Sequence, residues 1–169
     1  MADENSTSNG NGQAAADQAG NQKGFAIRRL YTRDISFESP NAPQIFNEEK
    51  WTPDVNMSLQ NQARAMGGEF YEVTVTVTIT VKLGERVAYL VEVQQSGEFQ
   101  TSGFEGEELR QLLGIYCPGV LYPFLRETVA SLVAKGGFPP LMLAPVNFDA
   151  LYLQHQQNVK AEQQRSADA

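Results

Sequence analysis

The two side chains best suited to nucleophilic catalysis each occur once in the sequence. Cys117 is the only cysteine and His155 the only histidine, so they offer a single possible Cys–His dyad. Cys117 lies where Pro118 interrupts a helical pattern, and His155 shares an apolar helical stripe with Phe148, Leu151 and Tyr152. These positions are more typical of a small buried residue and a helix-face residue than of a catalytic pair.

Other patterns that could hold a cofactor have simpler structural interpretations. The glycine pairs at 67–68 and 136–137 are too short for a phosphate-binding loop and suit turns. The acidic run at 105–108 could pair carboxylates, but it suits a first helical turn better, because the helix dipole favours acidic side chains there. No group of residues has the ligand spacing of a structural zinc site. We therefore predict no enzyme activity, no metal site and no cofactor.

The overall composition limits the possible partners. The chain has 169 residues, a formal net charge of −7 and 41% hydrophobic residues, which fits one domain. The negative charge argues against binding to nucleic acid or to anionic membranes, because both require a basic surface. The sequence has no long apolar run and no signal-peptide pattern, and a single cysteine excludes an internal disulfide. These features predict a soluble cytoplasmic protein without membrane insertion.

Alternating apolar residues predict four strands. The clearest segment is 70–99, where alternation on both sides of Gly84 and Glu85 predicts one long antiparallel hairpin. Its return strand should place Val87, Tyr89, Val91 and Val93 on an apolar face, and Arg86, Ala88, Leu90, Glu92 and Gln94 on a polar face. Two more alternating segments, 25–38 and 55–60, predict two further strands, and a linker is expected around 60–69.

The remaining segments predict a crossing loop and helices. Residues 39–53 contain three prolines, which exclude a central strand and indicate an irregular connection long enough to cross the sheet. After Gly103 the apolar spacing changes to three and four residues, which predicts helices. Residues 117–119 should interrupt the first helix, and Asn147 should cap the last. The order indicates an α+β domain: a four-stranded antiparallel sheet with helices on one face.

Two terminal segments are predicted to lie outside this domain. Residues 2–24 contain no aromatic side chain and no aliphatic side chain larger than alanine, so 1–24 is predicted to be a disordered tail. Residues 159–169 are polar and are predicted to form a flexible C-terminal tail. The folded domain should then span 25–158.

Two surfaces carry residue types suited to binding. Apolar side chains of the crossing loop and of the proline-rich loop that begins at Phe138 could be ordinary core, or, with residues of the second strand and the last helix, they could line a partly open groove. That groove would comprise Phe46, Trp51, Val55, Met57, Leu59, Phe148 and Tyr152. The polar sheet face could simply be solvated, or it could form an acidic docking surface for a basic partner. The residues of that surface would be Asp34, Glu38, Leu90 and Glu92.

Several long motifs resemble the SecB protein-export chaperones. They are RRLYTRDISFESPNAP at 28–43, EVQQSG at 92–97, GIYCPGVLYPF at 114–124 and LAPVNFDALY at 143–152. The resemblance covers about 25–157, nearly all of the predicted folded region. The chain departs from the family in its long N-terminal extension and around 60–69.

The resemblance implies an ATP-independent cytosolic chaperone that holds precursors of exported proteins unfolded and delivers them to the SecA motor ATPase. It also implies a homotetramer built as a dimer of dimers. The SecA-docking positions of the family fall on Asp34, Glu38, Leu90 and Glu92. The tetramer interface is expected at Tyr89, Val91, Val93 and Gln95. Any zinc would belong to the basic tail of SecA.

Two other classes of protein are compatible with the same residues. One is a docking scaffold without a client groove, and the other is a small-ligand carrier or enzyme that uses the same pocket. Competition by unrelated unfolded chains would distinguish a client groove from a scaffold. Turnover that depends on Cys117 or His155 would indicate an enzyme.

Overall fold

The computed structural model describes residues 23–167, which form an antiparallel sheet with helices on one face. The strands are β1 (Gly24–Glu38), β2 (Asp54–Gly67), β3 (Phe70–Leu83) and β4 (Arg86–Ser102). Their order in the sheet is β1-β4-β3-β2, so β1 and β2 are the two edges. The connection between them must therefore cross the whole sheet. This architecture confirms the predicted α+β fold with a long crossing loop.

The β3–β4 hairpin follows its predicted alternation except close to its turn. Gly84 has φ 58°, a left-handed conformation that glycine adopts without strain, and the strands resume on either side of it. The register then shifts, because Tyr89 lies opposite Val81 whereas Val87 lies opposite Lys82. The extra residue, Ala88, is fully buried. Val87 therefore lies on the same side as Lys82, and its assignment to the apolar face was wrong at this bulge.

Strand β2 is much longer than the sequence suggested. It pairs with β3 from Asp54 to Gly67, through most of the region predicted to be a linker at 60–69. The chain turns at Gly68 and Glu69, and Gly67 and Gly68 both have positive φ, 112° and 59°. Residues 60–67 of β2 are all exposed, and beyond Leu59 the strand carries no alternation for sequence analysis to detect.

The helical region is continuous where an interruption was predicted. Helix α1 (Gly106–Gln111) runs through a π-helical turn (Leu112–Tyr116) into α2 (Cys117–Lys135). The Cys117 N–H donates to the Leu112 carbonyl, five residues back. Pro118 has no N–H to donate, and the wider π turn directly before it accommodates the loss without ending the helix. The prediction that residues 117–119 break the helix was therefore wrong.

The segment that joins α2 to the last helix has a recognisable helix cap at each end. The N–H groups of Gly137 and Phe138 donate to the Ala134 and Val133 carbonyls, and Gly137 has φ 85°, which ends α2 in a Schellman motif. Asn147 Oδ1 accepts the Ala150 N–H at 3.0 Å, which confirms the predicted cap of the last helix, α3 (Phe148–Ala167).

Helix α3 (Phe148–Ala167) continues past Val159, where the sequence placed the end of the folded domain. At the other end of the chain, β1 includes Gly24, and the rest of the predicted N-terminal tail up to residue 22 lies outside the described residues. Within 23–167 no helix is both long enough and apolar enough to cross a membrane.

Helix α2 packs across the two central strands and defines the two faces of the sheet. On the covered face, β3 contributes Val73, Val75, Val77, Ile79 and Val81, all fully buried. They pack against Leu121, Leu125, Val129 and Val133 of α2, which are fully buried as well. The opposite side of the sheet, called the open face below, has no element packed on it among the described residues.

Candidate binding surfaces

The open face brings together the four residues predicted to form an acidic docking surface. Asp34 lies opposite Gln94 and Glu38 opposite Leu90, and Glu92 lies between them on the same side of β4. Asp34 and Glu38 are exposed, whereas Leu90 and Glu92 are half-buried. Glu92 accepts hydrogen bonds from the Thr78 hydroxyl at 3.1 Å and the Gln94 amide at 3.4 Å. These four residues form one surface with an apolar side chain among three carboxylates.

Next to this acidic surface lies a cluster that sequence analysis missed. Glu72 is 7% exposed and accepts hydrogen bonds from the Tyr31 hydroxyl, from Arg33 at 2.9 Å and from Arg64 at 2.9 Å. The hydrogen bond from Tyr31, together with the two arginines, holds the pKa of Glu72 below its usual range. Burial and the same carboxylate raise the pKa of Tyr31. We call these four residues the Glu72 cluster; it links both edge strands through β3.

The seven predicted groove residues separate into three connected parts. Leu59, Phe148 and Tyr152 line an open groove of about 510 Å³ between β2, the π turn and α3, called the C-terminal groove. Leu151 and His155 also line it, on the helical stripe that the sequence indicated. Gly114 forms part of its floor: a Cβ there would lie 2.7 Å from the Tyr152 ring, so only glycine allows this close approach.

Glu107 holds α3 in place beside this groove. Its carboxylate accepts hydrogen bonds from the Tyr152 hydroxyl and the Gln156 amide of α3, each at 3.0 Å. It also pairs with Arg110 of α1 at 2.7 Å. Hydrogen bonds from Arg110, then from Tyr152 and Gln156, lower the pKa of Glu107 to about 2. The acidic run at 105–108 thus includes a residue that fixes one wall of the groove.

Phe46 and Trp51 lie in a separate aromatic cluster around Phe138. Ring centroids are 5.0 Å apart for Phe46–Phe138 and 5.7 Å apart for Trp51–Phe138. Phe138 is buried, and its ring centroid also lies 4.8 Å from that of Tyr89, whereas Phe46 and Trp51 are 48% and 39% exposed. We call Phe46, Trp51 and Phe138 the loop cluster. Sequence analysis named Phe138 only as a member of an apolar loop.

A row of exposed apolar side chains on β2 lies between the loop cluster and the C-terminal groove. Val55 lies opposite Val81, Met57 opposite Ile79 and Leu59 opposite Val77, so all three share the covered face. Val55 and Met57 are nevertheless 43% and 45% exposed, because α2 packs on β3 and β4 and does not reach this edge. These three residues, the β2 stripe, join the other two parts into one apolar surface.

The four residues expected at a tetramer interface are buried within the single chain. Tyr89, Val91, Val93 and Gln95 are between 0% and 3% exposed. They lie on the covered face of β4, beneath α2. A second chain therefore cannot touch them directly in this conformation, and any influence on assembly has to pass through the packing of α2.

Cys117 and His155 occupy very different environments. Cys117 is fully buried, and burial raises the pKa of its thiol to about 12, so at neutral pH the nucleophilic thiolate is not formed. His155 lines the C-terminal groove on α3. The arrangement matches a small core residue and a groove-wall residue.

Comparisons with known proteins agree with this fold. A family model described as "Preprotein translocase subunit SecB" matches residues 18–159. The chain is 53% identical over 141 residues to the protein-export protein SecB of Nitrosococcus oceani, covering 83% of this chain and 86% of the relative. It is 50% identical over 170 residues to the SecB of Alkalilimnicola ehrlichii, covering 100% of this chain and 88% of the relative.

A solved structure supports the same architecture. A SecB-like chaperone from Mycobacterium tuberculosis, solved in complex with a ChAD peptide from an antitoxin, superposes with a TM-score of 0.61 at 16% identity. The superposition covers 72% of this chain and 90% of that chain. These likenesses define a chaperone fold. The chain belongs to the SecB family, and it is a chaperone for protein export.

Proposed function

We propose that this protein binds unfolded precursors of exported proteins on the apolar surface formed by the loop cluster, the β2 stripe and the C-terminal groove. The observation that carries the proposal is the exposure of large apolar side chains on the covered face of β2, beyond the reach of α2. Contiguous exposed apolar surface typically marks an interaction site.

The chemistry of this surface suits clients of varied sequence. Apolar contact is non-directional, so it binds exposed hydrophobic segments without requiring a particular order of residues. Met57 adds a flexible side chain that adapts to different partners. Folded proteins bury such segments and are not bound. Holding of this kind requires no nucleotide, and we propose that the protein works without ATP, in the cytoplasm and without catalysis.

We further propose that the acidic surface on the open face docks SecA. Three carboxylates, from Asp34, Glu38 and Glu92, would attract a basic segment of SecA, and Leu90 among them would add an apolar contact. Because this surface and the apolar surface lie on opposite faces of the sheet, SecA could bind while a client is still held. Transfer of the client to SecA would then replace release driven by ATP.

Assembly into a homotetramer, as a dimer of dimers, completes the proposal. Several copies of the apolar surface would let one long client bind at more than one place and gain avidity. Light scattering tests this directly, with an expected mass of four copies of the 18.6 kDa chain. A monomeric or dimeric mass would contradict the proposed assembly.

The deciding experiment is a refolding assay without ATP. A chemically unfolded protein that is not an export client is diluted into buffer with and without this chaperone, and recovery of its native fluorescence is followed. We expect the chaperone to slow or stop refolding in proportion to its concentration. Normal refolding in the presence of excess chaperone would contradict the proposed function.

The size of the C-terminal groove also suits a small-ligand carrier. Its volume of about 510 Å³ lies within the usual range for small-molecule sites. A carrier would leave the refolding assay unchanged. Unrelated unfolded chains would compete with one another for a client surface, whereas they would not displace a small ligand from a dedicated pocket.

A further inference from the structure

The alternation of side chains between the two faces of the sheet reverses twice along β1, and each reversal occurs at an arginine. Ile27 lies opposite Phe99 and Arg29 opposite Glu98, which leaves Arg28 as an extra residue. Likewise Thr32 lies opposite Gln95 and Asp34 opposite Gln94, which leaves Arg33 as an extra residue. Each insertion is a β-bulge, and each reverses which residues of the strand face the helices.

The bulge at Arg33 decides which face carries the acidic residues. Thr32 shares the covered face with Gln95, and its hydroxyl donates to the Gln95 side chain at 3.1 Å. With strict alternation, Asp34 and Glu38 would follow Thr32 onto that covered face. The extra residue instead turns Asp34 and Glu38 to the open face, beside Leu90 and Glu92.

Arg33 itself is held by the Glu72 cluster. Its guanidinium crosses β4 to reach Glu72 on β3 at 2.9 Å, although the Arg33 side chain is 46% exposed. The Glu72 side chain, at 8% exposure, is fixed by further donors from Tyr31 and Arg64. The bulged residue therefore contacts a carboxylate that three side chains keep in position.

We propose that the Glu72 cluster is a positioning device for the acidic surface: Arg33 and Glu72 fix the bulge that presents Asp34 and Glu38 beside Glu92. The inference rests on the proposed SecA docking at that surface. Arg33 and Glu72 act here through the placement of the acidic side chains and not by contact with the partner.

The covered face supplies a second anchor for the same stretch of β1. Phe37 stacks on Tyr89 with ring centroids 5.8 Å apart. A Cβ at Gly136 would lie 2.2 Å from the Phe37 ring, so the end of α2 closes tightly over it. Loss of the Arg33 contact should therefore loosen residues 33–36 locally, while Phe37 keeps the strand in register.

The substitution Arg33→Ala distinguishes positioning from simple electrostatics, because the two predict opposite changes in the affinity for SecA. Removing a positive charge next to an acidic surface should strengthen the binding of a basic partner if only charge matters. Positioning instead predicts weaker SecA binding, by about fivefold, which corresponds to about 1 kcal/mol. Titration calorimetry against purified SecA measures the difference.

Arg29→Ala is the matched control. Arg29 lies on β1 and on the open face, opposite Glu98, and its replacement removes the same charge without touching the bulge at Arg33. We expect its SecA affinity to equal the parent's or to increase slightly. Weaker binding by Arg33→Ala alone supports the proposal, and equal or tighter binding by a folded Arg33→Ala protein overturns it.

A second pair of variants tests the same contact from the carboxylate that binds Arg33. Glu72→Gln and Glu98→Gln remove the same charge from opposed residues of β3 and β4, yet only Glu72 bonds Arg33. We expect Glu72→Gln to weaken SecA binding about fivefold, or about 1 kcal/mol, and to speed amide exchange at 33–36, and Glu98→Gln to do neither. Holding of clients should be unchanged in both.

The outcomes separate this proposal from the docking proposal. If Glu72→Gln loses clients together with SecA, Glu72 is a general structural residue and the positioning role is wrong. If Glu92→Lys weakens SecA binding while Arg33→Ala and Glu72→Gln do not, the docking proposal is supported and the positioning proposal is wrong. If none of these variants changes SecA binding, the acidic surface is not the docking site.

Discussion

The two faces of the sheet differ in how their side chains are held, although both are built from the same four strands. On the covered face, β-branched residues of β3 interlock with α2 and are fully buried. On the open face, threonines, glutamines and charged groups form hydrogen bonds such as Thr74–Ser96 at 2.8 Å and Thr78–Glu92 at 3.1 Å. Change on the covered face should therefore affect folding, whereas change on the open face should affect recognition.

Edge strand β2 is where this contrast breaks down. Val55 and Met57 on its covered face are apolar like the β3 residues, yet they are exposed because α2 stops short of them. Apolar side chains at such a position would still gain free energy by leaving water, but no other part of the described chain fully covers them. The same feature that leaves the core incomplete at this edge would provide the surface that we propose for an unfolded chain.

The largest effect is expected for a charge placed on the covered face. Val93 is fully buried, so Val93→Arg should bury an unpaired guanidinium and lower the free energy of unfolding by about 3–5 kcal/mol. Urea unfolding measures this loss. The resemblance to the SecB family implied that Val93 lies at the tetramer interface, but its burial beneath α2 leads us to expect a folding defect first.

Ile35→Arg provides the control for that prediction. Ile35 lies directly opposite Val93 on the same face, but it is 46% exposed at the sheet edge. The new charge can reach water there, so the loss of stability should be much smaller. Equal losses for both variants would show that exposure does not distinguish the two positions.

A charge reversal on the open face should affect SecA binding and spare folding. Glu92→Lys replaces a carboxylate in the centre of the acidic surface, and we expect at least about tenfold weaker SecA binding, or about 1.4 kcal/mol. Glu85→Lys, on the exposed hairpin turn, makes the same change of charge and should bind SecA normally.

The urea midpoint and client holding of Glu92→Lys should match the parent, because the substituted side chain is half-buried on the face without helices. Binding should also weaken as salt increases, since exposed charges are screened beyond about 8 Å at physiological ionic strength. Loss of clients and SecA together would mean that the two faces do not act separately.

Truncation of the apolar surface should weaken client holding by a smaller factor. Combined replacement of Phe46, Trp51 and Met57 by alanine removes contact area worth about 1–3 kcal/mol per fully buried side chain, of which half-exposed residues should contribute the lower part. We expect about tenfold weaker holding in a folded protein. The fluorescence of Trp51 in the parent should respond to the client.

Met66→Ala is the matched control for the methionine in that set. Met66 is 51% exposed on the same strand, but it lies at the bulge near the end of β2 and outside the β2 stripe. Its replacement should leave holding unchanged. Normal client affinity in the triple variant would mean that the loop cluster and the β2 stripe only support the fold.

A smaller, pH-dependent effect is expected where Glu107 holds α3. The folded pKa of about 2 lies below the ordinary value of 4.5, so the contribution of Glu107 is fully present above about 4.5 and is lost as pH falls towards about 2. Glu107→Gln should thus destabilise α3 at neutral pH, and its difference from the parent should shrink over this window. Amide exchange in α3 measures the difference; a constant difference would exclude the carboxylate as its cause.

The sequence predicted the features that depend on local chemistry. The turn at Gly84, the Asn147 cap and the alternation of Val73 to Val81 each require only neighbouring residues, and the structure confirms them. The bulge at Arg33 was not predicted, because one inserted residue changes the facing of a strand without changing its composition. Glu72 was missed for a related reason: its partner Tyr31 lies 41 residues away.

The groove was predicted as a set of residues but not as a shape. Phe46, Met57 and Tyr152 were grouped by residue type alone, and their separation into a loop cluster, a stripe and a groove depends on how far α2 extends over the sheet. The length of β2 was missed because both of its faces are exposed, which removes the alternation that marks a half-buried strand.

The smallest effect is expected at the N-terminus, where the sequence predicted a tail over 1–24. The structure narrows this prediction, because Gly24 already pairs with Ser102 and Lys23 bonds Glu108. Deletion of residues 2–22 should therefore leave the melting temperature within about 2 °C of the parent's, which corresponds to less than about 1 kcal/mol in a domain of this size.

Deletion of residues 2–27 is the contrasting variant. It also removes Phe25, which stacks on Phe99 at 5.7 Å and contacts the Tyr116 ring edge-on at 5.1 Å, and should lower the melting temperature clearly. A large loss of stability in the shorter deletion would show that residues 2–22 contribute to the fold. The prediction of a disordered tail from composition would then be wrong.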